Sequence, residues 1–146
     1  MVIFENKMIK ILYDESIPAI LWIPIEFMDG ENFRNPFIKA VEFYENNIKD
    51  IPKLGWLCDA RKLKSVKPED VRWIMHINER AQKFGAPRVA FVLPENIFGK
   101  MAIKLYVEVT MASRSNLLQI KAFSNFDKAK YWLKDIQIGQ MDEIKL

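Results

Sequence analysis

The chain has 146 residues, of which 50% are hydrophobic and 28% are charged, and its formal net charge is +3 from 22 basic and 19 acidic residues. This length fits one domain, and the mixture is typical of a folded protein rather than a disordered one. The small, dispersed positive charge argues against nucleic-acid binding, which concentrates Lys and Arg on one face. We therefore expect a single domain over residues 1–146 that does not bind nucleic acid.

The chain shows no sign of export or of a membrane span. Its one cysteine, Cys58, has no partner for an internal disulfide, which fits a reducing compartment. No apolar run approaches the ~20 residues that a membrane-spanning helix needs. Charge at Glu5 and Lys7 interrupts the N-terminus before a signal-peptide core can form. We expect a cytoplasmic protein without membrane insertion.

The first third of the chain is predicted to form three short strands, over residues 2–5, 8–13 and 17–25. The second of them alternates, with Ile9 and Ile11 on one face. Polar turns separate the three segments. This pattern predicts antiparallel neighbours at one edge of a sheet.

The rest of the chain alternates between helices and strands. Four helices are predicted: over about 32–49, from Pro68 to Gly85, after residues 94–96, and after Ser124. The last of them begins with a capping box formed by Ser124 and Asp127. The strands between the helices are predicted over 55–58, 89–93 and 118–122. Repeated strand–helix units imply parallel strands with right-handed crossovers. The predicted fold is α/β, a mixed and largely parallel sheet with an N-terminal antiparallel hairpin and about four helices, and residues 139–146 are expected to be a frayed tail.

Three segments carry a resemblance to a known family: 56–63, an apolar strand ending in Asp and a basic loop; 68–74, a helix beginning Pro-Glu-Asp; and 89–95, an apolar strand. In these segments and in its element order the chain resembles the STAS superfamily of sulfate transporters and anti-sigma-factor antagonists, which has a SpoIIAA-like fold. It is most similar to an uncharacterised bacterial STAS-like branch. That branch is related in fold to the CRAL-TRIO lipid-binding domains.

One departure from this family bears on function. In anti-sigma-factor antagonists the strand-terminal Asp precedes an Asp-Ser-Ser-Gly helix start, whose serine a partner kinase phosphorylates. Asp59 matches that Asp, but the helix here starts at Lys67-Pro68-Glu69-Asp70, with no hydroxyl. A phosphate there would also be repelled by the two acidic side chains. We therefore expect no phosphorylation switch at the family position.

The sequence lacks the motifs of the common catalytic and metal sites. It has no glycine-rich phosphate loop, no Gly-x-Ser-x-Gly and no Cys-x-x-Cys, and it contains five glycines and one histidine, His76. We expect no catalytic residue, no metal and no cofactor.

Three polar residues follow predicted strands at the carboxyl edge of the sheet, where open α/β sheets bind ligands. Asp59, Arg61 and Asn96 are therefore predicted to contact a ligand or partner. Each also has a structural interpretation. Asp59 would accept hydrogen bonds from loop N–H groups, and Asn96 would cap the third helix.

The third predicted helix is apolar on more than one face. Its expected inward stripe is Phe98, Ala102, Leu105, Val109 and Ala112. Interface candidates on its remaining surface are Met101, Ile103, Tyr106, Val107 and Met111. A helix of this kind is usually covered on both faces, here by the chain itself, a second subunit or an apolar ligand.

The function favoured by these observations is a non-enzymatic regulatory or protein-interaction module of STAS-like type, which binds a protein partner or forms a homodimer. The alternative is a domain that binds a small hydrophobic, lipid-like ligand, with Phe84, Phe98, Met101 and Leu105 lining its pocket. An enzyme that uses Asp59 and Arg61 is the least favoured interpretation.

Overall fold

The structure is a computed structural model that describes residues 1–135 and 143–144. Seven strands and four helices lie in this part of the chain. The strands are β1 (Val2–Glu5), β2 (Ile9–Asp14), β3 (Ala19–Pro24), β4 (Gly55–Asp59), β5 (Arg88–Val92), β6 (Gln119–Phe123) and β7 (Glu143–Ile144). The helices are α1 (Glu31–Asn47), α2 (Pro68–Gln82), α3 (Ile97–Ala112) and α4 (Phe126–Leu133).

The strands form one mixed sheet in which each strand lies beside the next in the sequence, from β1 to β7. β1, β2 and β3 pair antiparallel, β3 to β6 pair parallel, and β7 returns antiparallel to β6. The predicted α/β fold with an antiparallel N-terminal edge is confirmed.

The helices cover the two faces of the sheet unequally. Right-handed crossovers between sequential parallel strands carry successive helices to the same face. α1, α2 and α3 accordingly share one large core, where Phe33, Val71 and Ile103 meet Trp56 and Phe91 of the sheet. α4 lies over a smaller core on the opposite face, built from Leu57, Val92, Ala129 and Leu133 among others.

Strand alternation explains how the two cores divide the same strands. Successive side chains of a strand point to opposite faces. In β4, Trp56 and Cys58 belong to the large core, whereas Leu57 belongs to the small one. Every residue of β4 is buried, because this central strand has helices on both faces.

The prediction for the inward face of α3 was wrong. Its buried residues are Gly99, Ala102, Ile103, Tyr106 and Thr110. Of the predicted stripe, only Ala102 is buried, and Phe98 is 64% exposed. The apolar pattern favoured bulky residues for the buried face, but Gly99 and Thr110 lie there. Gly99 packs closely against its neighbours, and the Thr110 hydroxyl donates a hydrogen bond to Met75 Sδ.

The predicted cap of α4 was also wrong, by one residue. Asn125, not Ser124, is the N-cap, and its Oδ1 accepts a hydrogen bond from the Lys128 N–H at 3.2 Å. Asn and Ser are about equally good caps, so composition does not decide between neighbouring candidates.

The C-terminal segment that the sequence predicts to be frayed contributes β7. Phe123 pairs with Glu143, and Ala122 pairs with Ile144. The other residues of 139–146 lie outside the described residues.

A buried ion pair joins the starts of α1 and α2. Asp70 is 1% exposed, and its carboxylate accepts hydrogen bonds from Arg34 Nε at 2.9 Å and from the Gly30 N–H at 3.2 Å. Gly30 has a φ of +52°, a conformation that favours glycine. The Arg34 guanidinium also lies 5.4 Å from the centre of the Trp73 ring. Asp70 therefore holds both a loop and a helix in place.

We expect Asp70→Asn to lower the free energy of unfolding by about 1–3 kcal/mol, because a charge-assisted hydrogen bond is lost inside the protein. Urea denaturation would measure this. Glu69→Gln is the matched control, since Glu69 is exposed on the same helical turn and should change stability by less than about 0.5 kcal/mol. Equal effects from the two variants would contradict the role given to Asp70.

Candidate functional site

At the carboxyl edge of the sheet, Asp59 and Arg61 form a two-point ion pair. Arg61 Nε donates to Asp59 Oδ1 at 2.8 Å, and Arg61 Nη2 donates to Oδ2 at 2.7 Å. The hydrogen bond to Asp59 raises the pKa of Arg61. The same guanidinium lies 5.5 Å from the centre of the Phe126 ring. The pair therefore links the end of β4 to α4, and both carboxylate oxygens of Asp59 are occupied.

Asn96 lies at the same edge but serves a different contact. Its Oδ1 accepts from the Phe98 N–H at 2.9 Å and caps α3, while its Nδ2 donates to the Lys64 carbonyl at 2.8 Å. No hydrogen bond described for the chain joins it to Asp59 or Arg61. The structure thus pairs two of the three predicted edge residues and gives the third a capping role.

The first turn of α3 packs directly against the loop between β4 and α2. A Cβ added at Gly99 would lie 2.5 Å from the Leu63 carbonyl oxygen and 2.8 Å from Pro94 Cγ. The loop therefore covers this turn of the helix. The sequence pattern did not identify this contact, because a glycine inside a helix also fits an unconstrained position.

The Gly99→Ala substitution tests this contact, because the close approach reverses the sign of its expected effect on the free energy of unfolding. Alanine normally stabilises a helix interior over glycine by about 1 kcal/mol. Here we expect a loss of about 1–3 kcal/mol in the free energy of unfolding, because the methyl group meets backbone. Thermal or urea denaturation would measure it, with Lys100→Ala as the exposed neighbouring control. A stabilised Gly99→Ala protein would refute the close approach.

The interface candidates on α3 divide into two groups. Ile103 and Tyr106 are 3% and 8% exposed and lie in the large core, so they are not available to a partner and the prediction for them was wrong. Met101 and Met111 are 58% and 63% exposed, and Val107 is partly buried. Ile97 and Phe98, which sequence reasoning did not place on this surface, are exposed as well.

A cavity of about 70 Å³ lies between the sheet and the layer of α1, α2 and α3. Its lining is almost wholly apolar. The residues from the strands and following segments are Trp22, Trp56, Cys58, Leu63, Val66, Val89, Phe91 and Leu118. Those from the helices are Phe33, Phe37, Val41, Val71, Ile74, Ile77, Asn78, Ala81, Ala102, Ile103 and Tyr106. None of the four residues that were expected to line an apolar pocket belongs to it.

Most polar groups beside the cavity have partners within the protein. The Tyr106 hydroxyl donates to Asn78 Oδ1 at 3.3 Å, and both residues line the cavity. Burial raises the pKa of Tyr106, so its hydroxyl stays protonated. Trp22 Nε1 is the exception, the one buried side-chain nitrogen or oxygen among the described residues without a hydrogen-bond partner.

The Cys58 thiol borders the same cavity. Burial, helped by the negative charge of Asp59, raises its pKa from 9.0 to about 12. A thiol with this pKa is protonated and unreactive at neutral pH. Cys58 therefore acts as an apolar core residue, as its place in an apolar strand indicates.

We expect Cys58 to react with a disulfide reagent at pH 8 only as fast as the protein opens.

A raised pKa of the Cys58 thiol in the folded state contributes stability that is complete below about pH 9 and is lost as pH rises toward 12. The free energy of unfolding should thus fall less steeply between pH 8 and pH 11 in Cys58→Ala than in the wild type. Rapid labelling in the native state, or identical alkaline slopes, would contradict the buried thiol.

Neither a membrane-spanning helix nor a metal cluster occurs in the part of the chain that the structure describes. No helix there is long and apolar enough to cross a bilayer. No group of three or more His, Cys, Asp or Glu side chains is arranged to hold a metal ion.

Comparison of the chain with protein-family models, with curated proteins and with solved structures gives no significant match. The similarity to STAS-like domains therefore stays a prediction from the sequence.

Proposed function

We propose that this protein is a non-enzymatic interaction module and that its docking surface is the outer face of α3. This outer face consists of Ile97, Met101, Lys104, Glu108 and Met111, which recur at the three- and four-residue spacing of one helix side. The observation that carries the proposal is the exposure of bulky apolar side chains on one helix: Ile97 64%, Phe98 64%, Met101 58% and Met111 63%.

Exposed apolar groups clustered on one element favour an interaction site over chance exposure. Phenylalanine and methionine are also enriched in protein interfaces, where the flexible thioether chain adapts to a partner. Phe98 and Met101 in addition line a groove that Ser65, Val66 and Pro68 close on the side of α2. A partner would therefore meet a ridge with a groove beside it.

The charge pattern of the outer face supports a second copy of the chain as the partner. Lys104 and Glu108 lie between Met101 on one side and Met111 on the other. If two α3 helices pack antiparallel about a two-fold axis between these charges, Lys104 of each copy faces Glu108 of the other. Met101 then faces Met111. A symmetric dimer requires a self-complementary surface of this kind.

A helix of 16 residues is about 24 Å long, so one helix face gives an interface at the small end of the specific range. The proposed dimer is therefore weak and depends on protein concentration. This suits a regulatory module that exchanges partners, in line with the resemblance to STAS-like domains.

The test of the dimer is a charge exchange read by sedimentation velocity over a concentration series. We expect Lys104→Glu and Glu108→Lys each to weaken association, because like charges then face each other across the two-fold axis. The double variant should restore association toward the wild-type level. Lys39→Glu, on the exposed side of α1, is the matched control and should associate as the wild type does.

A wild-type protein that remains monomeric at millimolar concentration would overturn the dimer. Single charge variants that associate as strongly as the wild type would remove the proposed antiparallel arrangement. Folding of each variant would be checked by circular dichroism, so that a loss of association is not a loss of structure.

A further inference from the structure

A second pocket, of about 210 Å³, lies at the amino edge of the sheet, opposite the edge that carries Asp59 and Asn96. Arg88 and Gln119, the first residues of β5 and β6, form part of its wall. The end of α1, the loop before β4 and the end of α4 supply the rest. No described residue of α3 lines it, so the pocket does not depend on the proposed dimer.

The Tyr44 side chain gives this pocket an unpaired hydroxyl group. Tyr44 lines the pocket and is 1% exposed, yet no described residue forms a hydrogen bond with its hydroxyl. The hydroxyl is not sealed in the core either, because Trp22 Nε1 is the one sealed and unpartnered side-chain nitrogen or oxygen among the described residues. Contacts with Trp56 and Phe84, at 5.6 and 6.3 Å between ring centres, hold the tyrosine ring in place. A fixed hydroxyl is therefore available to a ligand at the pocket wall.

Two cations and one carboxylate form the polar wall of the pocket. Asp135 accepts hydrogen bonds from Arg88 Nη1 at 2.5 Å and from Lys53 Nζ at 3.2 Å. The hydrogen bond from Arg88, followed by that from Lys53, lowers the pKa of Asp135, so this carboxyl is ionised at neutral pH. Two positive charges and one negative charge leave the cluster with one net positive charge.

The Arg88 guanidinium keeps unused hydrogen-bond donors. Of its three nitrogen atoms only Nη1 has partners among the described residues, namely Asp135 and the Trp132 carbonyl, the latter at 2.9 Å. Its centre lies 5.2 Å from the centre of the Trp132 ring, which fixes the guanidinium plane. A planar guanidinium with free donors binds a carboxylate through two parallel hydrogen bonds. The unused capacity of this wall therefore favours an anion with paired oxygen atoms.

Most of the remaining wall is apolar. Its described residues are Ile48, Pro52, Leu54, Phe84, Ala86, Pro87 and Leu133. Gln119 is polar, but its Nε2 already donates to the Ala86 carbonyl at 3.1 Å. An apolar cavity of roughly 150 Å³ admits benzene. The larger volume here leaves room for a body of that size together with a carboxylate.

We infer that this pocket binds a small monocarboxylate whose apolar body is about the size of a benzene ring. The carboxylate accepts hydrogen bonds from the Arg88 guanidinium and the Tyr44 hydroxyl, and the apolar body lies against Ile48 and Phe84. A single negative charge on the ligand matches the one net positive charge of the cluster.

Benzoate and benzamide are a matched pair of probes for this inference. They are nearly isosteric, but only benzoate is an anion at neutral pH. We expect isothermal titration calorimetry to give benzoate a Kd of about 1 mM or below, which is ordinary for so small a ligand. Benzamide should bind at least roughly tenfold more weakly, and added salt should weaken benzoate alone.

The position of the bound probe is read from indole N–H signals in ¹⁵N–¹H NMR spectra. The Trp132 signal should shift with benzoate, because its ring lies against the Arg88 guanidinium. The Trp73 ring lies against Arg34, outside this pocket, and its signal is the internal control. Each signal is assigned by its loss in the corresponding Trp→Phe variant.

Two variants separate the hydroxyl from the guanidinium. Arg88→Gln should abolish benzoate binding, but it also removes the bonds to Asp135 and the Trp132 carbonyl, so its folding must be checked by thermal denaturation. Tyr44→Phe keeps the test decisive, because its hydroxyl has no partner in the protein and its loss should leave the fold intact. It should weaken benzoate roughly tenfold. Tyr13→Phe, outside the pocket, is the matched control and should bind as the wild type does.

A charge reversal tests the electrostatic part. Lys53→Glu changes the net charge of the cluster from positive to negative and should weaken benzoate roughly tenfold without affecting benzamide. Lys7→Glu makes the same change in the exposed turn between β1 and β2 and should have little effect.

The inference is overturned if benzoate does not bind the wild type at millimolar concentration, or if benzamide binds equally well. Unchanged benzoate affinity in Tyr44→Phe would also overturn it, as would equal losses in Lys53→Glu and Lys7→Glu. A shift of the Trp73 signal in place of the Trp132 signal would place the probe elsewhere and exclude this pocket.

Discussion

The right-handed crossover is the constraint on which the rest of this structure depends. Because β3, β4, β5 and β6 lie side by side in sequence order, each crossover carries its helix to the same face. Three helices therefore form one layer over the sheet, and α4 is left to cover the opposite face. Among the described helices α3 packs chiefly against α2, and several of its bulky apolar side chains stay exposed.

The packing of this helix layer on the sheet also determines which aromatic and polar side chains meet in the large core. Large aromatic rings from α1 and the sheet line the cavity, such as Phe37 and Trp56, whose ring centres lie 6.4 Å apart. Polar groups that α2 and α3 bring into the same core, Asn78 and Tyr106, satisfy each other. Trp22 comes from the sheet side, where no polar side chain described for the chain reaches its N–H.

At the carboxyl edge of the sheet, where α/β proteins often bind ligands, the polar residues of this protein make hydrogen bonds within the chain. Asp59 binds Arg61, and Asn96 binds the Lys64 carbonyl while it caps α3. The close contact at Gly99 brings the loop onto the first helical turn. These contacts join neighbouring βα units at the carboxyl edge of the sheet.

The sequence by itself determined the first six strands, the four helices and their order, because hydrophobic alternation, proline and polar breaks act over a few residues; β7 was not among its predictions. The capping role of Asn96, which the sequence offered as the structural interpretation of this residue, depends on the same short range. Tertiary structure alone decided which face of α3 turned inward, since Gly99 and Thr110 are buried by what packs against them and not by their own hydropathy. It also decided the partner of Asp70, 36 residues away in the chain, and the orphaned N–H of Trp22. Such contacts depend on which distant segments the crossovers bring together, and a local sequence pattern does not contain that information.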